Sequence, residues 1–161
     1  SQFNILSTIN EVIEMLEVQT DKNNIKLSLK NKFEKPIYVL ADEERIQQVI
    51  LNLVMNSIKY GINRGITEIG IDFIEQNKIL IRISDNGKGI DKEHLPRLFE
   101  RFYRVESARN RKQGGSGLGL SIVKHIIDAH NEKIFVESEP NVGSEFSFSL
   151  TLVESANLVE A

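Results

Sequence analysis

Residues 41–84 read ADEERIQQVILNLVMNSIKYGINRGITEIGIDFIEQNKILIRIS, and the hydrophobic period changes inside that stretch. Ile46, Val49, Ile50, Leu53 and Val54 share one stripe at 3.6 residues per turn, which predicts a helix with a single buried face. Asp42 is the expected N-cap, and Gly61-Ile-Asn-Arg-Gly65 breaks the helix. Beyond the break the period drops to two. Thr67 to Ile74 and Lys78 to Ser84 are expected strands, joined as a hairpin by Glu75-Gln-Asn77.

Upstream, Ile5, Ile9, Val12, Ile13 and Leu16 recur at helical spacing and predict an amphipathic helix over residues 1–20. Asp21-Lys-Asn-Asn24 is expected as a turn, Ile25, Leu27 and Leu29 as a strand, and Ile37 to Leu40 as a short apolar piece after Pro36. Downstream, Asp91 to Phe102 predicts a short helix interrupted at Pro96, and Phe99 and Phe102 are expected anchors in the core or a loop. Leu118, Ile122, Val123, Ile126 and Ile127 mark another helix. Ile134 to Glu137 and Phe146 to Leu152 are strands, the second alternating so strictly that one covered face is expected. Helices and antiparallel hairpins without βαβα alternation predict an α+β chain, a two-layer sandwich with helices on one sheet face and water on the other.

Composition narrows the function classes. The chain has 161 residues, 40% apolar and 27% charged, with three prolines, which is the make-up of one globular domain. The absence of cysteine excludes disulfide scaffolds, thiol nucleophiles and iron–sulfur clusters. A net charge of −3 argues against a nucleic-acid surface. No stretch reaches the roughly 18 apolar residues of a membrane helix. Neither an initiator methionine nor a signal sequence opens the chain, so a piece of a longer protein is expected.

Four segments carry chemistry. Asn52, Asn56 and Lys59 lie at i, i+4 and i+7, within about 60° on one helix face, with Tyr60 beside them. Two amides and an ammonium suit an oxyanion-rich ligand with a hard cation, though a solvated polar face has the same pattern. Asp85-Asn-Gly87-Lys-Gly89-Ile90 ends a strand; its carboxylate can accept from an exocyclic amine, and alone it reads equally as an Asn-Gly turn. Gly114-Gly-Ser-Gly-Leu-Gly-Leu-Ser121 opens a helix, where free N–H groups and the helix dipole favour an anion. It lacks the Gly-Lys-Ser/Thr of a Walker loop, and Leu120 stands where a dinucleotide fingerprint needs glycine. Leu98-Phe-Glu-Arg-Phe-Tyr-Arg104 offers Arg101 and Arg104 as surface charges or phosphate donors.

In this order and spacing the segments resemble the N, G1, F and G2 boxes of the GHKL ATP-binding superfamily. The F box, with the Lys59-Tyr60 ending, is similar to the catalytic domain of bacterial two-component sensor histidine kinases. Asp42-Glu-Glu-Arg45 and Gly143-Ser-Glu-Phe146 agree as well, so the likeness covers roughly residues 4 to 153. It implies the Bergerat fold, a mixed sheet with helices on one face, and an ATP and Mg²⁺ site under a lid at 105–117. By that resemblance Asp85 would take the adenine amine, Tyr60 would lie against the base, and Gly87, Gly89, Ile90 and Phe99 would shape the pocket. Asn56 would ligate the metal, while Asn52 and Lys59 would contact phosphates. Arg101 and Arg104 would steady the departing γ-phosphoryl group, and Gly115, Ser116, Gly117, Leu118, Gly119 and Leu120 would close over the phosphates. Phosphoryl transfer needs mainly positioning and charge neutralisation, which this set could supply.

The superfamily's hydrolases carry a glutamate as water-activating base four residues before the metal asparagine. Asn52 stands there, and an amide takes no proton at neutral pH. The implied reaction is therefore transfer to a histidine of a separate dimerisation domain, which this chain lacks, with a response regulator downstream. The alternatives are an ATPase or conformational switch, an anti-sigma-type serine kinase, and a nucleotide-binding pseudokinase. The resemblance further implies a cytoplasmic domain, monomeric in isolation, of a homodimeric parent anchored in the inner membrane; residues 1–153 would form the domain and 154–161 a frayed tail. His94, His125 and His130 lack the Ser/Thr-His-Glu/Asp setting of a phosphoacceptor, so surface or packing roles are expected. After His130, Asn131 replaces the family's usual glycine, and its tolerance of left-handed backbone should preserve the helix stop.

Overall fold

A computed structural model of the chain describes residues 1–103 and 119–153. In chain order the elements are β1 (Gln2–Asn4), α1 (Ile5–Met15), α2 (Glu17–Asn23), β2 (Lys26–Leu29), β3 (Tyr38–Leu40), α3 (Glu43–Lys59), β4 (Ile66–Ile74) and β5 (Lys78–Asp85). A 3₁₀ segment (Lys92–Arg97), α4 (Gly119–Ala129), β6 (Ile134–Glu139) and β7 (Gly143–Leu152) follow. The seven strands form one mixed sheet in the order β1-β3-β7-β5-β4-β2, with β6 also pairing β7. Among the described residues only β2 with β4 is parallel. The expected α+β class and mixed sheet with helices on one face are what the structure has.

The helix that decides the fold forms for local reasons. Asp42 Oδ1 accepts the Arg45 N–H at 3.2 Å, satisfying one of the orphan donors of α3. Glu43 and Glu44 in its first turn and Lys59 in its last complement the helix dipole. Ile46, Ile50 and Leu53 are fully buried, in one core with Ile69, Ile79, Ile81 and Ile83 of the hairpin and Phe148 and Leu150 of β7. Burying each such side chain is worth about 1.5–3 kcal/mol, so this stripe pins α3 along β4 and β5. The hairpin pairs Ile74 with Lys78 and runs in register to Thr67 opposite Asp85.

Several expectations need correction. The first residues are a strand: β1 pairs β3, and Asn4 Oδ1 both caps α1 through Leu6 N–H at 3.2 Å and accepts Ile37 N–H at 3.1 Å. The helix expected over 1–20 ends at Met15, and α2 restarts beyond Leu16 and runs to Asn23 through most of the expected turn. The turn falls on Asn24, whose φ of 54° is left-handed. Pro96 removes a backbone donor, and Asp91 to Phe102 becomes a 3₁₀ segment and turn instead of an α-helix. Phe99 packs edge-on against Phe146, at 6.3 Å between centroids, as an anchor should. Phe102 does not: it is 63% exposed at φ 65°.

The strand β7 is covered on more than one face, because Ser147 and Ser149 are buried as well as Phe146, Phe148 and Leu150, which alternate with them. The serine face is closed in part by Glu132, which comes off the end of α4. It takes Lys78 Nζ at 2.6 Å, Ser149 Oγ at 2.8 Å and Thr151 Oγ1 at 2.9 Å. Asn131 does adopt φ 57°, the expected helix stop. His130 has a packing role: its Nδ1 lies 2.8 Å from the Ile126 carbonyl and its Nε2 accepts the Asp42 N–H at 3.1 Å, tying α4 to the cap of α3.

Candidate nucleotide site

The C-terminal ends of α3 and β5 meet, and the glycine-bearing turn after β5 is held from two sides. On the helix side, Lys88 N–H donates to the Tyr60 carbonyl at 3.2 Å. On the other, Asn141 N–H donates to the Lys88 carbonyl at 2.7 Å, and Ile90 N–H donates to Ser138 Oγ at 2.7 Å. Gly89 sits at φ +72°, where a Cβ would stand 2.1 Å from the Glu139 carbonyl oxygen. Gly143 leaves as little room: a Cβ there would meet the Asp85 carbonyl oxygen at 2.0 Å. Asn86 closes the base of the turn, accepting Ile66 N–H at 2.8 Å. The turn between β5 and the 3₁₀ segment is therefore a rigid cradle.

Asp85 ends β5 at the mouth of that cradle, half-buried. Burial pushes its carboxyl above the usual carboxylate range, and donors from Gly87 N–H, Ser57 hydroxyl and Ser144 N–H offset only part of this. The Gly87 bond, to Oδ1, is 2.9 Å. A desolvated carboxylate that keeps free lone pairs is poised to accept a further donor. Beneath it, Ser57 Oγ and Thr67 Oγ1 lie 2.7 Å apart, fully enclosed.

The structure brings Tyr60, Asp85, Gly87, Gly89 and the buried Ile90 together around this turn. Asn52, Asn56 and Lys59 share one half-buried face of α3 leading up to it, with Lys59 Nζ 5.4 Å from the centre of the Tyr60 ring. Gly119 and Leu120 open α4, which packs beside α3. A Cβ on Gly119 would meet open space. Arg101 is exposed, its guanidinium 5.3 Å from the Phe102 ring. Arg104, Gly115, Ser116, Gly117, Leu118 and the expected lid at 105–117 lie outside the described residues.

Ser57, Thr67, Ser138 and Ser144 were missed by the motif reading. Thr67 had a usable signal, because a hairpin loop at 75–77 pairs it with Asp85; Ser138 and Ser144 come from β6 and β7, distant in sequence. A groove of about 670 Å³ lined by Phe33, Ile37, Tyr38, Phe73 and Leu152 opens at the hairpin end of the sheet, away from Asp85.

Residues 41–154 match the family of histidine kinase-, DNA gyrase B- and HSP90-like ATPases. The sensor histidine kinase WalK of Bacillus subtilis is 35% identical over 93% of this chain and 24% of its own length. The sensor histidine kinase YkoH of the same organism is 44% identical over 87% and 28%. The chain thus spans about a quarter of the length of these curated relatives. Among solved structures, the nucleotide-free catalytic domain of the histidine kinase ThkA superposes with a TM-score of 0.78 at 30% identity, covering 94% of each chain. ThkA has also been solved with the response regulator TrrA; that chain matches at TM-score 0.74 and 30% identity, over 93% of this chain and 41% of its own. With the ordered boxes and the cradle at Asp85 in place, this chain belongs to the ATP-binding histidine kinase-, DNA gyrase B- and HSP90-like family, as a sensor histidine kinase catalytic domain.

Proposed function

We propose that the chain binds Mg-ATP and donates the γ-phosphoryl group to a histidine on a separate dimerisation domain, the first step of a two-component relay. The observation that carries this reading is Asn52. It stands half-buried on the same face of α3 as Asn56 and Lys59, and its amide can hold a phosphate oxygen but cannot deprotonate water. A site that positions phosphates without activating water conserves ATP for another acceptor.

The residues divide the work by their chemistry. Asp85 accepts the adenine 6-amino group, Tyr60 lies along the base, and Gly87, Gly89, Ile90 and Phe99 wall the pocket. The Asn56 amide oxygen is a hard donor suited to Mg²⁺, which keeps most of its shell as water and phosphate oxygens, so one protein ligand is a fitting number. When bound, that ion would neutralise charge developing between the β- and γ-phosphates. Asn52 and Lys59 orient the phosphates, and Arg101 and Arg104 steady the γ-phosphoryl group during transfer.

In this reading the dimerisation domain belongs to the same homodimeric parent and a response regulator receives the phosphoryl group. The domain works on the cytoplasmic side of a membrane-anchored protein, although no helix among the described residues is itself long and apolar enough to cross a membrane. Steady-state phosphate release from Mg-ATP by this chain alone is the test. The proposal expects release close to the no-protein background, and rapid hydrolysis would refute it.

A further inference from the structure

The turn at 99–103 is held at two points, and what lies between them faces water. Phe99 meets Phe146 of β7 edge-on, at 6.3 Å between centroids. Further along, the Arg97 guanidinium lies over the Tyr103 ring, 4.5 Å from its centre, and the Tyr103 hydroxyl bonds His94 Nδ1. Backbone bonds close the interval. Glu100 N–H donates to the Arg97 carbonyl at 3.0 Å, and Tyr103 N–H donates to the Glu100 carbonyl at 3.2 Å. Between the two points Arg101 is exposed, and Phe102 is exposed at φ 65°. Left-handed backbone costs a residue with a Cβ about 1–2 kcal/mol, so it persists only where the neighbours impose it.

His94 supplies that constraint from the 3₁₀ segment, with only 20% of its side chain in water. Its Nε2 lies 3.4 Å from Glu93 Oε1. A carboxylate only accepts, so in the neutral ring the proton belongs on Nε2. The Nδ1 lone pair then faces the Tyr103 hydroxyl, which donates to it. The guanidinium of Arg101 is 5.3 Å from the Phe102 ring, so its direction follows the backbone of the turn that Tyr103 ends.

We propose that His94 is a positioning residue: by fixing the Tyr103 hydroxyl it holds the turn in the form that presents Arg101 to the transferring phosphoryl group. The proposal rests on the assignment of Arg101 to phosphoryl transfer, and its test separates the two. A loosened turn would leave the base end of the site intact, because the cradle at 87–90 is held through Tyr60, Ser138 and Asn141. The expected signature is slower transfer with unchanged ATP binding.

Two quantities are measured for each variant. One is the dissociation constant for Mg-ATP, by calorimetry. The other is the single-turnover rate of γ-label transfer, at saturating ATP, to a separately purified dimerisation domain from the chain's own parent. Tyr103→Phe removes only the hydroxyl and should slow transfer roughly fivefold, about the weight of one neutral hydrogen bond. His94→Leu should do the same, and the double variant should be no slower than either alone, because both remove one bond. His94→Asn, whose amide oxygen can accept in place of Nδ1, should recover most of the rate. A purely structural role would lower Tm and leave transfer per folded molecule at the wild-type rate, which would overturn the proposal. Losses that add in the double variant, or a fall in ATP affinity as large as the fall in rate, would overturn it too. Arg101→Ala is the control for the underlying assignment and should slow transfer about a hundredfold or more. If it does so while Tyr103→Phe and His94→Leu do not, only the positioning role fails. If it leaves the rate intact, the arginine assignment fails and the positioning role with it. Should His94→Leu not fold, Tyr103→Phe decides the question alone, since it removes a single oxygen.

Discussion

Replacing Gly89 by alanine should loosen the cradle at its tightest point. The residue sits at φ +72°, and the added Cβ would stand 2.1 Å from the Glu139 carbonyl oxygen, 2.7 Å from its carbon and 2.8 Å from Pro140 Cα. All three atoms are backbone, so no side chain can rotate away. The left-handed conformation alone costs a residue with a Cβ about 1–2 kcal/mol. Opening the contact to an ordinary separation means moving the 139–141 turn by about 1 Å, and overpacking of that kind costs about 1–3 kcal/mol more. The sum, about 2–5 kcal/mol, corresponds in a chain of this size to a fall in Tm of roughly 5–15 °C. The same shift would break the Lys88–Asn141 bond of 2.7 Å and tilt the turn that carries Gly87, so ATP affinity should fall as well. Gly119→Ala is the internal comparison, because its Cβ meets open space at a helix start; its Tm should stay level or rise slightly. Thermal unfolding by circular dichroism, with calorimetric titration of ATP, measures both effects. A Gly89→Ala protein that melts with the wild type, or no lower than Gly119→Ala, would refute the reasoning.

Other consequences follow from single contacts. Asp42→Ala removes the cap accepted at 3.2 Å by Oδ1 and should cost about 1 kcal/mol in urea denaturation. Glu132→Ala strips the buried partner of Lys78, Ser149 and Thr151; because Lys78 keeps 31% of its side chain in water, a loss of about 2–3 kcal/mol is expected, with little change in ATP affinity. Since burial holds the Asp85 carboxyl above the usual range, ATP affinity should decline on acidification from a higher pH than an ordinary carboxylate would give, and calorimetry across pH would show it. The sign for stability is opposite. The folded value lies above the unfolded one, so this group favours the fold at acid pH and loses that contribution as pH rises through the folded value. Asp85→Asn should therefore be at least as stable as the wild type at neutral pH while failing to bind ATP.

What could be read in advance was what local chemistry dictates. The stripe Ile46 to Val54, the Asp42 cap and the three-residue hairpin loop each depend on neighbours within a few positions, and α3, β4 and β5 fell where expected. The hairpin register carried more than was taken from it, since pairing Ile74 with Lys78 already places Thr67 against Asp85. By contrast β1 was hidden because Phe3 fits a helical period as well as a strand, and only its pairing with β3 decides between them. The parallel pairing of β2 with β4 has no local signature at all. Glu132 reads as a surface carboxylate until β5 and β7 bring its partners from 54 and 17 positions away. The exposure of Phe102 was equally unreadable, because an apolar residue beside arginine in a motif carries no sign of a left-handed backbone.

The most direct test follows the γ-phosphate itself. The chain is mixed with Mg-ATP labelled at that position and with a separately purified dimerisation domain from its own parent. The account predicts acid-labile, alkali-stable label on that domain's histidine, absent with Asp85→Asn and absent when the acceptor histidine is replaced. Label appearing only as free phosphate, or transfer that persists undiminished in Asp85→Asn, would contradict it.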